Sequence, residues 1–220
     1  MNSGVEPTSH VSDDGVWDEG AWRQYADEED LPIPLAAALA AFAEHGYHGT
    51  SVRDIAARAG LSVPGLYHHY PSKQSLLKGL LERTMSDLLE RSEAALAEAG
   101  PAPLEQFDAV VESLLRFHMY RRARAFVGST EIRSLEPHFR LEYIALRDRQ
   151  QLMVDNIVEA GVAAGVFDCP NPKDAARAVA TMCVGVSTWY RPHGELGPDE
   201  LVSRYLLIAR QMVGVQPGAG

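Results

Sequence analysis

The sequence predicts an all-α fold, a group of three helices followed by six more. Three observations predict it. From Ile33 onward apolar residues recur every three or four positions, the period of a helix with one buried face, and no convincing strand alternation appears. Ser, Pro and Gly interrupt that pattern where helices begin and end. The 220 residues are 46% hydrophobic and 23% charged, a composition that excludes a wholly disordered chain, a collagen-like repeat and a coiled-coil rod.

The elements follow in order. Leu35, Leu39 and Phe42 fall on one face of a first helix, and Gly46 is its natural stop. Ser51 and Asp54 resemble a capping box opening a second helix, with Val52, Ile55, Ala56 and Ala59 as its apolar stripe. Ser62 caps a third, where Pro64 is tolerated in the first turn and which stops near Pro71. Ser72 caps a fourth that runs to about Leu96. After the Gly100–Pro103 loop, the spacing predicts helix over Leu104–Arg124, a shorter segment to about Ser134, and a long helix from Pro137 to Gly161 or Gly165. Lys173–Tyr190 is apolar nearly all round, which predicts burial on several sides. The last helix opens at Pro198-Asp199-Glu200, where the helix dipole favours acids.

The net charge of −10 is uneven. Nine acids and one base lie within residues 1–32, so −8 belongs to that stretch and −2 to everything after it. Residues 1–32 therefore read as an acidic, largely disordered extension. A competing reading is a short helix docked on the body, because Trp17, Trp22 and Tyr25 share part of a helical face. No uncharged apolar run, Ala178–Tyr190 included, exceeds thirteen residues against the ~20 that a membrane span needs, so no membrane association is expected. No basic-then-apolar start is visible, which points to a cytoplasmic protein. Two cysteines, Cys169 and Cys183, make neither a disulfide scaffold nor a zinc site; they read as an exposed loop thiol and a small core filler. His45 and His48 lack further ligands in spacing, so no metal and no cofactor is expected. There is no Gly-rich phosphate loop, nucleophile elbow or His-Glu-x-x-His run, so an enzyme is disfavoured.

The most specific signal is Ser51–Tyr70, which has what a helix-turn-helix requires: a small residue where the helices touch (Ala56), a turn glycine (Gly60), and apolar anchors (Ile55, Leu61, Leu66). The runs Phe42–Tyr47, Thr50–Ala56, Gly60-Leu61-Ser62 and Leu66–Lys73 resemble the N-terminal domain of the TetR family of transcriptional repressors. The resemblance implies a DNA-binding domain over 33–76 and an effector-binding and dimerisation domain over 77–220. It implies a bacterial homodimer paired through the last two helices, bound to double-stranded, near-palindromic operator DNA with recognition helices about 34–36 Å apart, and released by a small-molecule effector. Carried onto this sequence, Thr50, Ser51 and Val52 match a backbone and groove contact. Val63, Pro64 and Gly65 match the base-facing start of the recognition helix. Tyr67, His69 and Lys73 match phosphate contacts, with His68 an addition.

One departure matters. Where relatives carry Arg or Lys before the first helix, this chain has Asp27-Glu28-Glu29-Asp30, and residues 33–73 carry a net charge of only +1. Modest DNA affinity is expected, improved by deleting residues 1–30. An all-helical interaction or sensor protein with a weakened DNA-binding head is the alternative. The ending Trp189-Tyr190-Arg191-Pro192 resembles the branch of the family that responds to acyl-coenzyme A thioesters. That resemblance implies a mostly apolar effector held by Phe117, His118, Arg121, Arg147, Gln151, Trp189 and Tyr190. Competing readings stand beside it: His118 as a satisfied core or surface histidine, Arg121, Arg122 and Arg124 as a solvated face, and Trp189 and Tyr190 as dimer anchors.

Overall fold

The computed structural model describes residues 17–26 and 31–215. Expectations for 1–16, 27–30 and 216–220 lie outside the described residues.

Three helices form the head: α1 (Ile33–Gly49), α2 (Val52–Arg58) and α3 (Val63–His69). Six make the body: α4 (Lys73–Glu98), α5 (Pro103–Tyr120), α6 (Arg122–Glu131), α7 (Pro137–Ala163), α8 (Pro172–Trp189) and α9 (Pro198–Met212). The capping residues act as their chemistry predicts. Ser51 and Asp54 close a reciprocal box, Ser62 Oγ accepts from the Gly65 amide at 3.1 Å, and Ser72 pairs with Ser75. Gly46 takes φ +68°, a conformation that side chains resist, and breaks the regular run of α1.

In the body, α5 is the central column, packed against α4, α7, α8 and α9. Its Phe107, Val110, Val111, Leu114, Leu115 and Phe117 are all buried. Each such side chain contributes roughly 1.5–3 kcal/mol of transfer free energy. The head leans on the body through α1, which contacts α4 and α6. Phe167 and Val215 form an isolated antiparallel bridge.

Four expectations differ from the structure. Helix over Leu104–Arg124 is broken at Arg121 (φ −109°, ψ +37°), which separates α5 from α6. The buried Arg121 guanidinium reaches inward to the Ala26 carbonyl and Asp87, and periodicity does not register that pull in Arg-Arg-Ala-Arg. Helix α8 buries Ala176, Val179, Cys183 and Val186 but leaves Val184 and Trp189 solvent-facing, so it is covered on one side only. Cys169 is buried, because the segment after α7 folds under the end of α9, where Asp168 pairs with Val213 and Gly214. Residues 17–26 form a strap against α4 and α5 around a single 3-10 turn, Ala21–Arg23.

Trp22 anchors the strap at 1% exposure against Ala95 and Ala109, and its indole donates to Glu98 at 2.9 Å. Arg91, buried in α4, donates to the Trp22 and Gln24 carbonyls at 2.9 and 2.8 Å. Arg23 pairs with Glu98 and Glu112. Tyr25 stacks on Tyr120 at 4.7 Å and lies 4.0 Å beneath the Arg91 guanidinium. An aromatic and a cation supplied by the body hold a stretch whose own composition is too polar to fold alone.

Candidate functional site

In the head, Ile55, Ala56 and Leu66 are buried and pin α3 across α2. Gly60 supplies φ +66° at the turn. Pro64, Tyr67 and His68, at i, i+3 and i+4, share one face of α3, and all three are exposed. His69 is exposed on another side, lining a surface cleft with Pro32, Ile33, Pro34, Ala59, Leu61 and Tyr70. Val63 and Gly65 are half-buried.

Several residues expected at the DNA surface are engaged by the fold itself. Thr50 is buried, and its hydroxyl donates to the Ala41 and Gly46 carbonyls at 3.0 and 2.8 Å. Lys73 donates to the Tyr47 and Thr50 carbonyls, both at 2.8 Å, over the Tyr47 ring, and partial burial lowers its pKa. Ser51 is exposed but occupied by Asp54, whose carboxyl is held below its usual range by Ser51. Val52 is half-buried. Arg58 pairs with Glu44 at 2.6 Å, whereas Arg53 is exposed and, among the described residues, forms no salt bridge.

Gln74 was invisible to sequence reasoning, since a lone Gln in a helix's first turn carries no signal. It donates to the Tyr47 hydroxyl at 2.8 Å and the Ser134 carbonyl at 2.7 Å, and accepts from the Glu136 amide. One side chain thus joins the head to the α6–α7 connection.

The body contains a cavity of about 120 Å³ between α4, α5, α6, α7 and α8. Leu88, Leu114, Phe117 and Val184 give it apolar walls, and Phe117, His118, Arg147 and Gln151 of the expected effector residues line it. Arg121 does not, being turned to Ala26 and Asp87. Trp189 and Tyr190 do not either. Trp189 faces solvent beside Tyr205, with ring centres 5.8 Å apart, and Tyr190 is buried at the end of α8.

His118 Nδ1 lies 2.7 Å from the Leu114 carbonyl, which only accepts, so Nδ1 carries the proton. Burial pushes the imidazole pKa down from 6.5 to about 4, so it is neutral near pH 7 with Nε2 as an acceptor. Gln150, which also lines the cavity, is 8% exposed, and neither its amide nitrogen nor its oxygen has a protein partner. Leaving such groups unmade in a protein interior costs about 1–3 kcal/mol.

Two family models match the chain. Residues 35–80 match the model for bacterial regulatory proteins of the tetR family. Residues 100–213 match the tetracyclin repressor-like C-terminal domain. The chain belongs to the TetR family. It is a transcriptional regulator with a helix-turn-helix DNA-binding domain, a family of regulators rather than enzymes. The HTH-type transcriptional repressor KstR2 of Mycobacterium tuberculosis is 31% identical over 179 residues, covering 80% of this chain and 88% of the relative. Among solved structures, a bacterial regulatory protein in the tetR family from Rhodococcus RHA1 superposes with a TM-score of 0.77 at 31% identity, covering 84% of this chain and 97% of the other. The ketosteroid transcriptional regulator KstR2 of Mycobacterium tuberculosis superposes with the same score, 0.77, at 25% identity, covering 88% and 100%. No helix among the described residues is long and apolar enough to cross a membrane.

Proposed function

We propose that this TetR-family regulator is a cytoplasmic, nucleoid-associated repressor that binds a near-palindromic operator as a homodimer and leaves it when an effector occupies the body cavity. The carrying observation is the face of α3, where Tyr67 and His68 stand exposed beside Pro64 on a helix pinned from behind by Leu66. Hydroxyl and imidazole groups donate to phosphates and set register. Val63, Pro64 and Gly65 offer no bidentate side chain, so base reading leans on thymine methyl contact and DNA shape. Ser51 and Val52 contribute the edge of the contact. Thr50 and Lys73 support it chiefly by holding the α1–α2 connection in place.

The dimer reading is supported by α8 and α9. Val184 and Trp189 on α8 and Leu207 and Ile208 on α9 are large apolar residues left exposed, Leu207 at 60%. Exposed apolar residues on the two closing helices are what an isologous interface covers. The effector favours a dimer whose heads are wrongly spaced, and its differential affinity for that state drives release.

A mostly apolar effector, an acyl-coenzyme A thioester, is supported by the apolar walls and by the exposed Arg147 on the lining, placed to meet a phosphate. At about 120 Å³ the cavity must widen to admit an acyl chain, and that widening is the structural change the effector would impose.

Tyr67→Ala and His68→Ala are each expected to weaken operator binding by about ten- to a hundredfold, the value of a charge-assisted hydrogen bond. Mobility shift with the chain's own upstream region reads the loss, and native mass spectrometry reads whether the dimer persists. Retained affinity in both variants would sink the assignment.

A further inference from the structure

We propose that the body cavity receives, as the buried part of its effector, an apolar group bearing a neutral oxygen, a hydroxyl or ketone, which Gln150 binds. This rests on the reading of that cavity as the effector site. Several of the polar groups around it are already used by the protein. Thr84 and Ser129 donate to carbonyls of their own helices, Leu80 and Phe126. Gln151 donates to Asp155 at 2.7 Å. The Gln150 amide is left with both its donor and its acceptor unmatched by protein. Because His118 Nδ1 donates to Leu114, its Nε2 adds a second acceptor.

This set selects against charge. No carboxylate lines the cavity to receive a cation. A buried anion would lose its hydration and face the lone pairs of Gln150 Oε1 and His118 Nε2. The lining cation, Arg147, is exposed, so it serves a part of the ligand that stays near solvent. A hydroxyl fits best: it accepts from Gln150 Nε2 and donates to Gln150 Oε1 or to His118. A ketone takes the first bond alone. A hydrocarbon leaves the amide as it is.

The test uses three single-ring probes of similar size: cyclohexanol, cyclohexanone and methylenecyclohexane. A cavity of this order holds one ring. Binding to the full chain is followed through the methyl resonance of Met85, which lines the cavity. The expected result is about tenfold tighter binding of the alcohol than of the hydrocarbon, with the ketone between them. Gln150→Leu is expected to erase or invert that order while leaving thermal stability unchanged or raised, since a buried amide is removed. Where leucine disturbs packing, Gln150→Met repeats the test with an unbranched side chain. Equal binding of all three probes by the native chain would overturn the inference and leave the effector cavity standing. No response at Met85 to any probe would overturn both. Discrimination that survives in Gln150→Leu would also overturn it.

Discussion

The head and the body treat their polar side chains in opposite ways. In the head, hydroxyls and amines near the helix ends are spent on the backbone: Thr50 on Ala41 and Gly46, Lys73 on Tyr47 and Thr50, Ser51 and Ser62 on their caps. What remains for a partner is a narrow exposed set on α3, with Arg53 on α2. In the body, polar groups are carried inside: Arg91, Arg121, Arg124, His118 and Gln150 are all buried. Three of these hold the strap or its neighbourhood around Asp87, and two face the cavity. A surface that reads DNA needs its donors outside and rigidly presented. A cavity that discriminates among apolar molecules needs a few polar groups inside, where an unmade bond is costly.

The largest test of this contrast lies at the strap. Trp22→Ala removes a fully buried indole together with its bond to Glu98, and a loss of about 3 kcal/mol or more is expected. Limited proteolysis near residues 17–26 and a lowered Tm would report it. Unchanged proteolysis would mean that Arg91 and Tyr25 hold the strap without its anchor.

The second concerns His118. Its pKa is depressed from 6.5 to about 4 in the folded state, so protonation favours unfolding. Its contribution is complete above pH 6.5 and is lost as pH falls toward 4, by up to about 3 kcal/mol. Urea midpoints across that window should fall less steeply in His118→Gln than in the native chain. Parallel profiles would show that His118 is not held neutral.

The smallest expected effect lies in the acidic stretch before α1. Deleting residues 1–30 to relieve repulsion would also strip Trp22 and Tyr25 from α4 and α5. Neutralising Asp27, Glu28, Glu29 and Asp30 as Asn and Gln isolates the charge. Operator affinity should rise several-fold at low salt, and the gain should fade as salt screens it. An unchanged dissociation constant would remove repulsion from the account.

Much of the head was legible because its signals are local. Ser51–Asp54, Gly60, Ser62 and Leu66 act within a few residues of themselves, through caps, a turn and one buried side chain. The roles of Thr50, Lys73 and Gln74 were not legible, because their partners lie in other elements and a short polar side chain looks alike whether it meets solvent or a carbonyl. The body divides the same way. The face of α5 was readable from period, while the break falls at Arg121, whose guanidinium meets a carbonyl ninety-five positions away.

By itself the sequence determined the helical class, the helix-turn-helix with its caps and turn glycine, and the family, because helix period and capping are encoded within a few residues. Only the tertiary structure decided that residues 17–26 dock, which face of α8 is left uncovered, that Arg121 turns away from the cavity, and that Gln150 sits inside it without a partner. Each of these depends on what a distant segment places opposite the residue. Burial and hydrogen-bond satisfaction belong to pairs of groups brought together by the fold, and no single position in the chain carries them.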